Sequence, residues 1–230
     1  MRLLAFDTAT EACSVALLSG DTLRGECLEL GRGHSERLLP MIDALLADAG
    51  LSLGELDALA FGRGPGAFTG VRLAASVAQG LAFAARLPVV PVSDLAAVAL
   101  RVLRGESAAP GVLVCNDARM GQVYAGAFRR DGAGLPEAVA AEAVLGPDEV
   151  PGTFAAVLAK GWHGAGHGFR AYPGLASALQ PLLAGVRAEC LPRAEKIALL
   201  AAGAFARGET VGAGEALPVY LRDNVARPQL

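Results

Sequence analysis

The sequence has few lysines, few aromatic residues and no uninterrupted apolar run of the ~18 residues that a membrane span requires. Its net charge is −3, so the protein as a whole has no positive field with which to hold a nucleic acid. The first apolar run ends at Asp7, too early for the core of a signal peptide. We therefore expect a cytoplasmic protein that enters no membrane and reaches any nucleic acid through a partner or a local basic patch. The arginines available for such a patch are Arg32, Arg37, Arg63 and Arg72, although solvated surface arginines are the simpler interpretation.

The four cysteines are widely separated and form no Cys-x-x-Cys pair. Three of them stand in apolar, strand-like runs, where a thiol behaves as a small hydrophobic group. This pattern is typical of a reducing compartment and not of a disulfide framework. The residues concerned are Cys13, Cys27, Cys115 and Cys190.

Signatures of catalysis and of metal binding are absent as well. No G-x-S-x-G sequence or other nucleophile–base pattern occurs, so no catalytic residue is predicted. His163 and His167 have the spacing of a metal-binding pair only in a helix, and the three glycines within residues 161–166 disfavour a helix. The loop of residues 62–66 is glycine-rich but lacks the GK[ST] of a P-loop, and Pro65 removes one amide. We favour a close backbone approach at this loop over an anion site.

Hydrophobic patterning divides the chain into two lobes. The N-terminal lobe, residues 1–103, contains predicted strands at 3–6, 12–19, 23–29, 57–61 and 88–92 and helices at 35–49, 68–85 and 93–103. Residues 104–110 form a crossover to the C-terminal lobe, residues 111–230. That lobe contains predicted strands at 112–115, 122–128 and 162–165 and helices near 153–160, 173–183 and 192–207.

The second lobe begins as the first one does, with a strand, an aspartate, a polar turn and another strand. Asp7 and Asp117 occupy the same place in this unit, which indicates a structural duplication. Two lobes that each open with such a hairpin are the layout of the actin, hexokinase and Hsp70 superfamily. We therefore predict an α/β protein of the actin-like ATPase (ASKHA) fold, with two duplicated ribonuclease-H-like lobes.

The first polar turn could carry chemistry, because its carboxylate and hydroxyl groups suit a hydrated Mg²⁺ ion and phosphate oxygens. The alternative is that aspartate and threonine make an ordinary turn between strands. We retain both interpretations. The candidate residues for a remnant ATP or ADP site are Asp7, Thr8, Thr10 and Asp117, and we expect no cofactor to be required.

The helix over residues 71–85 has only Arg72, Ser76 and Gln79 as polar residues. A helix on the outside of a sheet normally shows water a broad polar stripe, which this helix cannot do. We predict that it forms, with the helix at 35–49, an apolar face that binds a partner. The alternative is a helix covered within its own lobe. The candidate contact residues are Arg37, Leu38, Met41, Ile42, Leu45, Val71, Ala74, Ala75, Ala78 and Ala82.

Five collinear segments resemble the bacterial TsaB (YeaZ) family. They are residues 4–17, 34–40, 62–72, 117–124 and 218–226, so the resemblance spans nearly the whole chain. One departure is Phe169, where the family pattern has a residue closer to tryptophan; this change is conservative.

This resemblance implies a role in the bacterial tRNA threonylcarbamoyladenosine pathway. It implies a non-catalytic subunit that binds the related transferase TsaD through helices 35–49 and 68–85. The ATPase TsaE would join the assembly, and tRNA would be contacted indirectly. Without a partner, the apolar face of the two helices would pair with its own copy, so we expect a homodimer of the isolated chain. TsaD-like proteins carry a His-x-x-x-His metal pair after the strand equivalent to 88–92. Asp94 and Val98 stand there in this chain, and they cannot replace two imidazole ligands.

Two enzymatic alternatives remain. One is an actin-like-fold ATPase or small-molecule kinase that uses Asp7, Thr8, Thr10 and Asp117. The other is a peptidase, for which the sequence supplies neither a nucleophile–base pair nor zinc ligands.

Overall fold

A computed structural model describes residues 1–222 of the chain. The end of the fifth family segment, Asp223 to Ala226, lies outside these residues. The first sheet consists of β1 (Arg2–Asp7), β2 (Ala12–Ser19), β3 (Thr22–Glu29), β4 (Ala58–Gly62) and β5 (Val89–Val92). The second consists of β6 (Gly111–Arg119), β7 (Gln122–Arg130), β8 (Pro136–Ala138), β9 (Ala143–Leu145), β10 (Trp162–Ala165) and β11 (Leu183–Arg187). The helices are α1 (His34–Asp48), α2 (Phe68–Ala85), α3 (Asp94–Gly105), α4 (Val150–Phe154), α5 (Gly168–Ala171), α6 (Pro173–Leu179) and α7 (Ala194–Ala206).

The two sheets share one topology. The first has the order β3-β2-β1-β4-β5, in which β1, β2 and β3 are antiparallel and β4 and β5 run parallel to β1. The second has the order β11-β10-β6-β7-β8, with β6 and β7 antiparallel and β10 and β11 parallel to β6. The short strand β9, like β8, pairs with β7. The predicted duplication of an α/β lobe is therefore confirmed.

Alternation along β1 sends successive side chains to opposite faces of the first sheet. Leu4 and Phe6 pack into one core with α1 and α2, whereas Leu3 and Ala5 pack into a second core with α7. The second sheet is covered in the same way, by α4, α5 and α6 on one face and by α3 on the other. Helices α3 and α7 contact each other, so both lie between the two sheets.

This arrangement corrects the predicted lobe boundaries. Helix α3, predicted to close the first lobe, packs mainly on β6 and β7 of the second sheet. Helix α7, predicted to belong to the second lobe, packs on β1, β2, β4 and β5 of the first. The chain thus returns to the first lobe after β11. Local sequence patterns cannot reveal such a return, because an apolar helix face suits either sheet.

Helix α2 confirms the predicted span of 68–85. Among the described residues it is the one helix long and apolar enough to cross a membrane by length and composition. One side of it is nevertheless buried against the first sheet, which is the environment of a packed helix in a folded lobe. Its composition therefore serves the core of this lobe.

Candidate functional site

The two hairpin turns face each other across a cavity of about 720 Å³ between the lobes. Thr8 and Thr10 line it from the first turn, and Asn116 and Asp117 line it from the second. The start of α2 and the C-terminal residues 219–222 complete its walls. The structure thus brings together three of the four predicted nucleotide-site residues. The fourth, Asp7, does not line the cavity.

Asp7 is fully buried and faces Asp94, the first residue of α3, which is also fully buried. One Asp7 oxygen accepts a hydrogen bond from the Ala9 amide at 2.9 Å, and Asp94 Oδ2 accepts one from the Gly64 amide. Gly62 lies against both carboxyl groups: a Cβ there would be 2.5 Å from Asp7 Oδ1 and closer still to Asp94 Oδ1. The glycine at the end of β4 is therefore what allows the two carboxyl groups to meet.

Two adjacent buried carboxyl groups cannot both ionise without a compensating cation. Burial raises the pKa of both groups, and the negative charge of Asp7 raises the pKa of Asp94 further. The pair is accordingly stable when Asp94 keeps its proton and donates it to Asp7. From the sequence, Asp94 is interpreted only as the residue that stands where the family's metal pair has a histidine. No local pattern around either residue could reveal the pairing.

Beside this pair, a smaller polar network joins the lobes. Ser93 caps α3 by accepting a hydrogen bond from the Ala96 amide at 3.1 Å, and its hydroxyl donates to Glu142. Glu142 lies between β8 and β9 and pairs with Arg63 at 3.6 Å. Burial raises the pKa of Glu142. Arg63 is therefore engaged in this network and not free for a basic patch.

The remaining candidate groups of the cleft already have partners. Thr8 Oγ1 donates to the Gly70 carbonyl at 2.7 Å, and Thr10 Oγ1 accepts from the Ala12 amide at 3.2 Å. Asp117 accepts from the Arg119 amide at 2.8 Å and from the Tyr172 hydroxyl at 3.2 Å. The amide bonds of Thr10 and Asp117 are the short-range contacts of a hydroxyl turn and an Asx turn, so the turn interpretation accounts for these two residues. Thr8 instead bonds to the start of α2.

The glycine-rich loop packs against the first hairpin turn. The Ala67 amide donates to the Ala9 carbonyl at 2.7 Å, and a Cβ at Gly66 would lie 2.5 Å from that same oxygen. Gly70 approaches the Thr8 carbonyl even more closely. The interpretation of a close backbone approach is therefore confirmed at this loop.

No group of three or more metal-ligating side chains occurs within residues 1–222. His163 lies in β10, whereas His167 follows that strand and lines the cleft. Burial lowers the pKa of His167, which favours its neutral form. A strand and a turn do not present these two residues as a helical metal-binding pair would.

The partner-contact residues need a correction. Eight of the ten lie in the core beneath α1 and α2 and have no surface to offer a partner. They are Leu38, Met41, Ile42, Val71, Ala74, Ala75, Ala78 and Ala82. Only Arg37 is exposed, and Leu45 is half-buried. Their helical spacing is the spacing of a face that packs on its own sheet, which was the alternative interpretation.

The opposite side of α2 forms what we call the outer face, defined by Leu73, Ser76, Val77, Gly80, Leu81, Phe83 and Ala84. Ser76, Gly80 and Ala84 are exposed and small, and they follow one another at intervals of four residues. Leu73, Val77 and Leu81 flank them and are half-buried. Phe83 is 83% exposed. This face combines apolar surface with room for the close approach of a second helix.

Comparison with known proteins gives consistent matches. Residues 29–229 match the family model described as TsaD, tRNA N6-adenosine threonylcarbamoyltransferase. The chain is 43% identical over 230 residues to the Escherichia coli K12 protein named tRNA threonylcarbamoyladenosine biosynthesis protein TsaB, covering 100% of this chain and 98% of that one. A Haemophilus influenzae protein of the same name is 54% identical over 128 residues, which are 54% of this chain and 52% of that one.

Two solved structures from Pseudomonas aeruginosa are also similar. One is YeaZ, with a TM-score of 0.86, and the other is described as similar to the peptidase YeaZ, with a TM-score of 0.88. Each is 47% identical and covers 96% of this chain and 99% of its own. Together with the shared topology of the two sheets, these matches establish the predicted actin-like fold.

Proposed function

This chain belongs to the TsaB family of tRNA threonylcarbamoyladenosine biosynthesis proteins, and from that premise we propose that it is a non-catalytic subunit that binds the transferase TsaD. The family assignment makes it a protein of tRNA threonylcarbamoyladenosine biosynthesis. Beyond this assignment, we propose that it lacks catalytic activity, and we propose its contact surface and its further partners.

The observation that carries the proposal is the outer face of α2. Phe83 presents nearly its whole ring to solvent, beside the half-buried residues Leu73, Val77 and Leu81. Burying one such aromatic side chain stabilises a complex by roughly 1.5–3 kcal/mol. On α1, Leu39 is 44% exposed and adds apolar surface on the same side of the first sheet. A second helix pair would cover this surface well.

The state of the cleft supports a subunit without catalysis. Asp7 faces Asp94 and not the cavity, and Thr8, Thr10 and Asp117 each have a hydrogen-bond partner within the chain. No lysine lines the cavity to reach a phosphate. We therefore propose that neither ATP nor ADP is required. If the isolated chain hydrolysed ATP with Mg²⁺, and Asp7→Ala abolished the turnover, the ATPase or kinase alternative would replace this proposal.

A peptidase finds no support in the geometry. None of the three histidines is hydrogen-bonded to a serine, threonine or cysteine within residues 1–222, so a base is not joined to a nucleophile there.

We also propose further partners. By analogy with the family, TsaE would join through TsaD and tRNA would be contacted indirectly. Without TsaD, the chain would pair with its own copy through the outer face. The net charge of −3 agrees with an indirect contact to tRNA. Four free cysteines, three of them buried, agree with a cytoplasmic location.

The test is the variant Phe83→Asp, which places a charge on exposed surface and touches no core residue. We expect at least a tenfold loss of affinity for TsaD, equivalent to about 1.4 kcal/mol. Calorimetric titration measures the affinity, and reconstitution of threonylcarbamoyladenosine formation measures the consequence. Val186→Asp, at a partly exposed apolar residue of β11 in the other lobe, is the matched control. Wild-type affinity in Phe83→Asp, with unchanged thermal stability, would contradict the proposed contact surface.

A further inference from the structure

The last described residues, 216–222, cross from the first lobe to the second, and we call them the C-terminal strap. At its start, Ala216 is buried in the core beneath α2, and its carbonyl accepts a hydrogen bond from Gln79 Nε2 at 3.1 Å. Further along, the Val219 amide donates to the Arg63 carbonyl at 2.8 Å. The strap is thus tied to the first lobe by both packing and backbone hydrogen bonding.

In its middle, the strap carries Tyr220 against the start of α2. Arg72 Nε donates to the Tyr220 hydroxyl at 2.7 Å, and the Arg72 guanidinium lies 3.6 Å from the centre of the Phe68 ring. Both rings are 47% exposed. Exposed cation–π contacts of this kind contribute only about 0.5–1 kcal/mol each, so water competes with this contact.

At its end, the strap contacts the second lobe through the side chain of Arg222. Its guanidinium donates to the Ala118 carbonyl at 3.1 Å and to Gln122 Oε1 at 2.7 Å. These acceptors flank the turn between β6 and β7, in which Arg119 and Met120 have φ angles of +61° and +55°. A left-handed backbone conformation costs a non-glycine residue about 1–2 kcal/mol. The hydrogen bonds donated by Arg222 therefore help to stabilise this turn.

Residues 219–222 of the strap also line the cleft, together with residues of the two hairpin turns. Asn116, only 2% exposed, lines the same cleft and has no hydrogen-bond partner for its side-chain amide. We propose that the C-terminal strap is a latch: Arg222 holds it across the cleft, and release of Arg222 frees the turn between β6 and β7 and opens the cleft to solvent. The first-lobe anchors stay in place when this happens, because they do not depend on Arg222.

The test compares Arg222→Ala with Arg129→Ala in the full chain. Arg129 is an exposed arginine of β7, so its loss changes the net charge equally without removing a strap contact. Hydrogen exchange followed by mass spectrometry should show amides of residues 117–122 exchanging at least about tenfold faster in Arg222→Ala, while those of α2 and β10 are unchanged. The control should match the wild type at every segment.

A second measurement reports on the cleft itself. Asn116→Cys is introduced into the Arg222→Ala and the Arg129→Ala variants. We expect a maleimide to label position 116 faster in the Arg222→Ala variant than in the Arg129→Ala variant. Equal exchange and equal labelling in a folded Arg222→Ala variant would overturn the latch. Acceleration spread evenly over the second lobe would overturn it too, since that is the result of general destabilisation. If Arg222→Ala folds poorly, Gln122→Ala removes one acceptor and gives the same comparison.

Discussion

The two hairpin turns contain the same aspartate–amide hydrogen bond, but an acidic group lies beside one aspartate and a basic group beside the other. In the first, Asp7 accepts a hydrogen bond from the amide two residues later at 2.9 Å; in the second, Asp117 does the same at 2.8 Å. The duplication therefore extends to individual hydrogen bonds. Beyond that bond, Asp7 meets another carboxyl group in a dry core, whereas Asp117 pairs at 2.9 Å with Arg119, whose side chain is 84% exposed.

This difference separates what a turn does from what its surroundings do. A local Asx turn needs only an aspartate and the next amides, so both lobes have one. The other contacts of the two aspartates differ: Asp7 meets Asp94, whereas Asp117 contacts its neighbour Arg119 and the distant Tyr172. The same aspartate in the same turn can therefore lie in very different electrostatic surroundings.

The largest expected effect comes from Gly62→Ala, which places a methyl group between the two carboxyl groups of the first lobe. Such overpacking costs about 1–3 kcal/mol, and displacement of a buried polar pair adds to that cost. We expect denaturant unfolding to show a loss of at least about 2 kcal/mol. Gly132→Ala is the control, because nothing lies within 4 Å of a Cβ built there. Equal stability of the two variants would show that the carboxyl pair is not confined as described.

A more specific effect is expected from Asp94→Asn, which keeps the shape of the pair and removes its shared proton. In the wild type, the raised pKa of Asp94 means that the folded state holds a proton that the unfolded chain releases near pH 3.8. Stability therefore falls as pH rises above that value, with a slope of up to about 1.4 kcal/mol per pH unit until Asp94 ionises. Asp94→Asn should flatten this fall and be the more stable protein at pH 8.

Urea unfolding between pH 4 and pH 8 measures this difference. Glu142, whose pKa is also raised by burial, contributes a slope of the same sign that both proteins retain. His34 also faces Asp7 and is common to both proteins. Parallel pH profiles for wild type and variant would mean that the pair holds no extra proton.

The smallest effect is expected from the equivalent change in the second lobe, Asp117→Asn. Its ion pair is with an exposed arginine, and such pairs contribute about 0–1 kcal/mol. An asparagine still accepts the amide hydrogen bond of the turn, so we expect a loss below about 1 kcal/mol in the same unfolding assay. A loss as large as that of Gly62→Ala would erase the contrast between the two turns.

Much of the architecture could be predicted, because strands and helices have local signatures. The predicted helix over residues 68–85 has the bounds of α2, and the predicted helix over 35–49 differs from α1 by one residue at each end. Thr8, Thr10 and Asp117 were correctly expected on one cleft, since the duplication sets the two hairpin turns face to face. The predicted contact residues were wrong for eight of ten positions. Periodicity shows that a helix has an apolar face, but it does not show whether a sheet or a partner covers that face.

The repeated strand–aspartate–turn–strand unit, the helices that follow it and the family of the chain can all be recognised in the amino-acid sequence. These features depend on spacing between near neighbours, which a single chain displays directly. The return of α7 to the first sheet, the reach of Arg222 to the second lobe and the meeting of Asp7 with Asp94 emerge only in the folded protein. Each of these contacts joins distant parts of the chain, so no local pattern predicts it. The raised pKa values of Asp7 and Asp94 arise only because folding removes water from both carboxyl groups.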